Sequence, residues 1–142
     1  MLFRSKYAIP GEKLYQAAVA VLKTDPGYTK FNQPIDWTWF EIWHHEGRRA
    51  RHGASMMAPD YTHWHGTYDL AKHWMTKFIP EIKEIIHEYG KKSKSKKQVA
   101  ELKALLDEVQ HSEDWLWSIN KEDEETKAKR KKRQEEFKNR YQ

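Results

Sequence analysis

The chain contains no cysteine, which excludes disulfides, thiolate metal sites and a cysteine nucleophile. It has no apolar run long enough to cross a bilayer, so no membrane span is expected. The opening MLFRSKYAIPGEK lacks an apolar stretch of signal-peptide length, so no export signal is visible. Glycine and proline are scarce, at 6 and 5 of 142 residues, so each carries weight as a stop or turn. No segment alternates with period two for long enough to form a strand, and no internal repeat is present. A GxSxG elbow, a glycine-rich phosphate loop and a paired-carboxylate motif are all missing. An active site made by this chain alone is therefore not expected.

Charge and aromatic rings are abundant instead. Charged residues make up 33% of the chain, and the net charge is +5. Lysines crowd residues 91–97 (KKSKSKK) and 127–133 (KAKRKKR). Such runs bind nucleic acid or acidic surfaces in some proteins. Here the second run is interleaved with EDEE and QEE, and no zinc-finger, RNP or helix-turn-helix signature accompanies it. A solvated linker and helix face are the simpler reading, and no nucleic-acid partner is expected. Seven tryptophans fall in three groups: WTW (37–39) with Trp43, Trp64 with Trp74, and WLW (115–117). Rings at this density imply a packed core or a large partner surface.

The periodicity predicts an all-α chain, a bundle of about four to five helices. Residues 1–11 read as an arm ending in Pro10-Gly11. Leu14, Ala17, Ala18, Val21 and Leu22 mark a helix over 12–23, stopped by Asp25-Pro26-Gly27. Asp36 is the expected N-cap of a helix over 37–57, whose apolar stripe is Trp37, Phe40, Trp43, Gly47, Ala50 and Ala54. That stripe tapers to small residues, which suits close approach by another helix or a flat ligand. After Ala58-Pro59-Asp60 a long helix is expected over 61–89. Its stripe is Trp64, Tyr68, Ala71, Met75, Phe78, Ile82, Ile85 and Tyr89, with a kink near Pro80. Gly90 reads as a C-cap before a lysine-rich linker. Val99, Leu102, Leu106, Val109 and Leu116 mark a further helix. The last, 121–141, is charged except for Phe137 and Tyr141. Three regions follow: an arm and short helix (1–34), a helical hairpin (35–90), and a lysine-rich linker with charged helices (91–142).

Two constellations invite a metal reading. Tyr61, His65, Asp69 and His73 share one helical face at four-residue spacing. His65, Asp69 and His73 are a weak candidate for a divalent ion. A polar stripe opposite the Trp64/Tyr68/Met75 face explains them more simply, so no metal is expected. HHEGRRARH (44–52) fails as a zinc-protease helix, because Arg49 stands where HExxH requires its second histidine. Glu46 with Arg48, Arg49 and Arg51 reads as a charged network. In the hairpin turn, Asp60 reads as an N-cap, Tyr61 as the first helical residue, and Met56 and Met57 as pliable packing.

The stretch WHHEGRRARHGASMMAPDYTHWHGTYDLAKHW, followed by FIPEIKEI, resembles the C-terminal helical region of octahaem hydroxylamine oxidoreductases and hydrazine dehydrogenases. The likeness covers roughly residues 30–90 and is loose over 91–142. In that family c-type haems hang on CxxCH motifs, and this chain has none, so it binds no haem covalently. The resemblance implies nitrogen metabolism, of the anammox kind, in the periplasm or an anammoxosome-like compartment. It also implies a tyrosine that reaches the catalytic haem of a neighbouring subunit and is linked to it. Tyr61, in the PDY run, is the matching position. A phenol bonded to a porphyrin edge would distort the macrocycle and tune its electronics.

Three functional readings are weighed on these features, and the first is favoured. The first is a haem-free accessory subunit or assembly factor that docks on a multihaem c-type cytochrome oxidoreductase subunit. Its partner-binding residues would be Trp37, Trp39, Trp43, Trp64, Tyr68, Phe137 and Tyr141. The second is a split-gene enzyme subunit supplying Tyr61 to a partner's haem, with His45 or His52 as a possible haem ligand. The third, a basic nucleic-acid-binding module, would show steeply salt-dependent binding.

Overall fold

The computed structural model describes residues 3–53 and 59–140. Ala54, Met56, Met57, Ala58 and Tyr141 lie outside the described residues. Among the described residues there are five helices and no strand. Helix α1 spans residues 4–22, α2 spans 34–52, α3 spans 59–89, α4 is Lys96–Gln110 and α5 is Glu124–Arg140. The chain divides into two compact units between Leu106 and Asp107. The lysine run 91–97 lies inside the first.

Helix α1 departs from the expected arm, because it runs straight through Pro10-Gly11. A wide π-helical turn, Arg4–Ala8, precedes the α-helical stretch Ile9–Leu22, and the Ile9 N–H reaches back to the Arg4 carbonyl. The wide turn relieves the clash that a proline ring makes with the carbonyl four residues back. Gly11 serves packing rather than a turn. A Cβ there would collide with the Trp39 indole and lie 2.9 Å from that of Trp74. The Pro-Gly pair that signals a local break is the point where α1 crosses α2 and α3. Further along, Leu14, Ala18, Val21 and Leu22 are buried as their spacing predicts.

Helix α2 begins one turn earlier than expected. Gln33 is its extended N-cap residue and Pro34 takes the first helical position, which suits a residue with no N–H to satisfy. Asp36 is thus not the cap. It sits within the first turn, 1% exposed. Its Oδ1 accepts the Tyr15 hydroxyl at 2.7 Å and the Tyr28 hydroxyl at 3.0 Å, and its Oδ2 accepts the Phe31 N–H at 3.1 Å. A buried carboxylate is tolerable only when hydrogen-bonded in this way. Phe31 has φ 70°, a strained value for a large side chain. It is held from both sides, since its carbonyl also accepts the Trp37 indole N–H at 2.9 Å.

The buried face of α2 is Ile35, Trp39, Ile42 and Glu46. The expected stripe of Trp37, Phe40 and Trp43 is rotated outward: Trp37 is 55% and Trp43 37% exposed. The same happens in α3. Trp64 and Tyr68 point to solvent, whereas Gly66, Leu70, Trp74, Phe78 and Ile82 are buried. These buried positions recur every four residues. Two wide turns, Thr62–Tyr68 and Trp74–Phe78, explain the spacing. Turns closed by i to i−5 bonds rotate less per residue, so positions four apart stay aligned. From Phe78 onward the expected stripe holds, with Phe78, Ile82, Ile85 and Tyr89 buried. The second wide turn also sits directly before Pro80 and kinks the helix there.

Small residues let α2 and α3 touch. A Cβ on Gly66 would lie 2.6 Å from the Ala50 backbone nitrogen, and one on Gly53 would strike Thr62. The taper toward glycine and alanine in α2 therefore receives a helix. Trp39, Trp74 and Phe78 form the centre of the core, with ring centroids 5.4 Å apart for Trp39–Phe78 and 5.0 Å for Trp74–Phe78. Tyr7 meets Trp74 edge-on at 5.4 Å. Burying each such side chain contributes roughly 1.5–3 kcal/mol.

The connection after α3 is a tight turn rather than a linker. Gly90 ends the helix in right-handed backbone. Ser93–Ser95 forms a short turn in which the buried Ser95 hydroxyl donates to the Tyr89 carbonyl at 2.7 Å. Val99, Leu102 and Leu106 of α4 are buried. Leu116 lies not in α4 but in a separate turn, Leu116–Ile119. Asp123 caps α5, accepting the Thr126 N–H at 2.8 Å and its hydroxyl at 2.7 Å. Those bonds hold the Asp123 carboxyl below its usual range. No residue of α5 is buried.

Candidate functional site

Helix α3 carries two chemically distinct faces where it crosses α2. The inner one holds a carboxylate–imidazole pair. Glu46 Oε1 and His73 Nδ1 are hydrogen-bonded at 2.7 Å, joining residues 27 apart in sequence. Glu46 is 2% exposed, and its Oε2 has no hydrogen-bond partner. The expected network with Arg48, Arg49 and Arg51 is not what Glu46 makes. Two of those arginines sit elsewhere: Arg49 lies over the Tyr61 ring at 5.8 Å, and Arg51 over Trp43 and Phe3 at 5.0 and 5.1 Å.

The outer face is aromatic. Tyr61, Trp64 and Tyr68 are 45%, 56% and 53% exposed. Trp64 and Tyr68 are in edge contact at 5.7 Å, and His65 lies 5.1 Å from Tyr61. Asp60 is not an N-cap, because Pro59–Tyr61 is already helical and Asp60 falls in the first turn. An acid there complements the helix dipole. The turn widened over Thr62–Tyr68 helps to place these rings on the solvent side.

The candidate metal residues do not converge. His65 and Asp69 form a surface pair at 3.5 Å, while His73 turns inward to Glu46. Among the described residues, no group of three or more His, Asp or Glu side chains is arranged to hold a metal ion. His45 is paired with Glu41 at 2.8 Å, and His52 is exposed on the last turn of α2. Of the expected partner-binding residues, Trp37, Trp43, Trp64, Tyr68 and Phe137 are exposed. Trp39 is not available to a partner: it is buried in the core and donates its indole N–H to Glu12 Oε2 at 3.2 Å. Trp37 packs with Phe31 at 4.8 Å in a second exposed aromatic patch.

Pattern in the sequence could not find the Glu46–His73 pair or the Asp36 cluster. Both are acids on faces that helical periodicity marks as part of an apolar or charged run, and both partners lie on other elements.

Compared with protein-family models, curated proteins and solved structures, the chain matches none. Within the first unit, Tyr61, Trp64 and Tyr68 form an outward aromatic ridge on α3. No described helix is long and apolar enough to cross a membrane.

Proposed function

We propose that the protein is a haem-free accessory subunit or assembly factor, and that it docks through the α3 ridge on a multihaem oxidoreductase of the hydroxylamine oxidoreductase or hydrazine dehydrogenase type. One observation carries the docking reading: Tyr61, Trp64 and Tyr68 are all half-exposed on one face of a helix whose opposite face is core. Large rings displayed this way, with Arg49 over the first of them, are the residue types that anchor protein interfaces. The partner's identity rests on the sequence resemblance across this same stretch. The compartment would then be the periplasm or an anammoxosome-like one.

A second reading assigns Tyr61 a place at the partner's catalytic haem, as part of a split enzyme. Its favouring observation is position, since Tyr61 leads the ridge and its ring is open to solvent.

The test is a pull-down from native extract followed by haem staining, using the intact chain and the double variant Trp64→Ala/Tyr68→Ala. The docking reading expects a haem-stained partner that the double variant fails to retain. Capture of no haem protein, or equal capture by both, would sink it. Intact mass of the chain recovered from the complex separates the two readings. A porphyrin adduct that Tyr61→Phe abolishes supports the split enzyme, and an unmodified mass supports the accessory subunit.

A further inference from the structure

A groove opens between the first half of α1 and the second half of α2, with no α3 residue in its described lining. Its volume is about 800 Å³, within the ~300–1,000 Å³ typical of small-molecule sites. Phe3, Ile9 and Trp43 supply its apolar surface. Ile9 is 47% exposed, unusual for an isoleucine beside a core.

The rim is cationic. Arg4, Lys13 and Arg51 line it, and none of the three makes an ion pair with a described residue. Glu12 is the one acid among the described lining residues, and its carboxylate is already used. It accepts Gln16 Nε2 at 2.8 Å and the Trp39 indole N–H at 3.2 Å. Arg51 is held in place before any ligand arrives. Its Nε donates to the Gly47 carbonyl at 3.0 Å, and its guanidinium is layered against Phe3 and Trp43. Gly47 makes this possible, because a Cβ there would collide with the Phe3 ring. No described residue accepts a hydrogen bond from the outer guanidinium nitrogens. Arginine fixed on aromatic faces is well suited to two-point binding of a carboxylate.

From this arrangement we infer that the groove is a binding site for a long-chain monocarboxylate. The aliphatic body lies along Phe3, Ile9 and Trp43, and the carboxylate meets Arg51, with Arg4 and Lys13 adding field. The complementarity is specific in sign and shape: an apolar trough whose edge cations make no ion pair with a described residue favours one anionic head on an apolar tail. This inference uses residues apart from Tyr61, Trp64 and Tyr68, so it stands or falls separately from the docking reading.

The test is titration calorimetry of the full chain with octanoate, decanoate and dodecanoate below their micelle concentrations. Dodecyltrimethylammonium serves as the probe of opposite sign. One saturable site is expected, tightening roughly three- to fourfold per added methylene. The cationic probe should bind at least about tenfold more weakly. Ile9→Glu should weaken dodecanoate about tenfold or more, and so should the pair Lys13→Met/Arg51→Met. Lys13→Met alone keeps the Arg51 stacking intact and should weaken binding measurably, with the helical circular dichroism unchanged. Equal binding of both head-group charges, no dependence on chain length, or unsaturable uptake would each overturn the inference. So would indifference to Ile9→Glu and Lys13→Met, or competition only by an acidic peptide.

Discussion

His73 on α3 and Glu46 on α2 meet at 2.7 Å inside the helical hairpin, and the second oxygen of Glu46 is buried without a partner. Removing His73 leaves that carboxylate alone in a poorly hydrated place. His73→Leu should destabilise the fold by about 1–3 kcal/mol, since it leaves the buried Glu46 carboxyl without its hydrogen-bond partner. Replacing both, as Glu46→Met/His73→Leu, should cost less than His73→Leu alone. Urea denaturation of the three variants checks this; additive losses would show that the pair is not coupled.

Asp36 gathers two phenols, and both are driven upward in pKa. Burial is the main cause for Tyr28, followed by its hydrogen bond to Asp36, and together they push it up to about 12. Tyr15 is raised further for the same reasons. A raised folded-state pKa gives stability that is intact below the ordinary phenol value near 10 and is lost as pH climbs through the folded value. Stability should thus fall steadily from about pH 10 upward. Tyr28→Phe should flatten that fall between about pH 10 and 12, at some cost in stability near neutral pH. Denaturation midpoints across alkaline pH, with phenolate absorbance as the marker, test it.

Glu81 presents the reverse balance at neutral pH. Burial raises its pKa, only partly opposed by the Thr38 hydroxyl at 2.8 Å and by Lys77. Its Oε2 has no hydrogen-bond partner. A raised carboxylate stabilises most when protonated, below the unfolded value, and that contribution disappears as pH rises through the folded one. Glu81→Gln, which mimics the protonated form, should therefore be more favourable at pH 7 than at pH 4 relative to the parent chain. Equal effects at the two pH values would contradict the burial argument.

Gly66 lets α3 pack directly against the α2 backbone. A Cβ there meets backbone atoms of Ala50 and Arg49, which cannot swing aside like a side chain. Gly66→Ala should destabilise by about 1–3 kcal/mol despite alanine's better helix propensity. Thermal unfolding measures it. If the variant is as stable as the parent, the two helices are not in backbone contact.

Sequence alone determined the all-α class, the kink near Pro80 and most of the buried faces of α1 and of α3 beyond Phe78. Those features follow from local rules: 3.6-residue periodicity, proline chemistry and the absence of two-residue alternation. Tertiary structure decided what those rules cannot contain. Wide turns changed the rotation per residue, so the rings of Trp64 and Tyr68 went outward while Leu70 and Trp74 went in. Pro10-Gly11, a stop signal by local chemistry, became a helix crossing because the Trp39 and Trp74 indoles needed the space a side chain would fill. Asp36 and Glu46 were drawn inside by partners on other elements, at Tyr15 and His73. Sequence pattern describes one helix at a time; which of its faces is buried depends on the neighbour that packs against it.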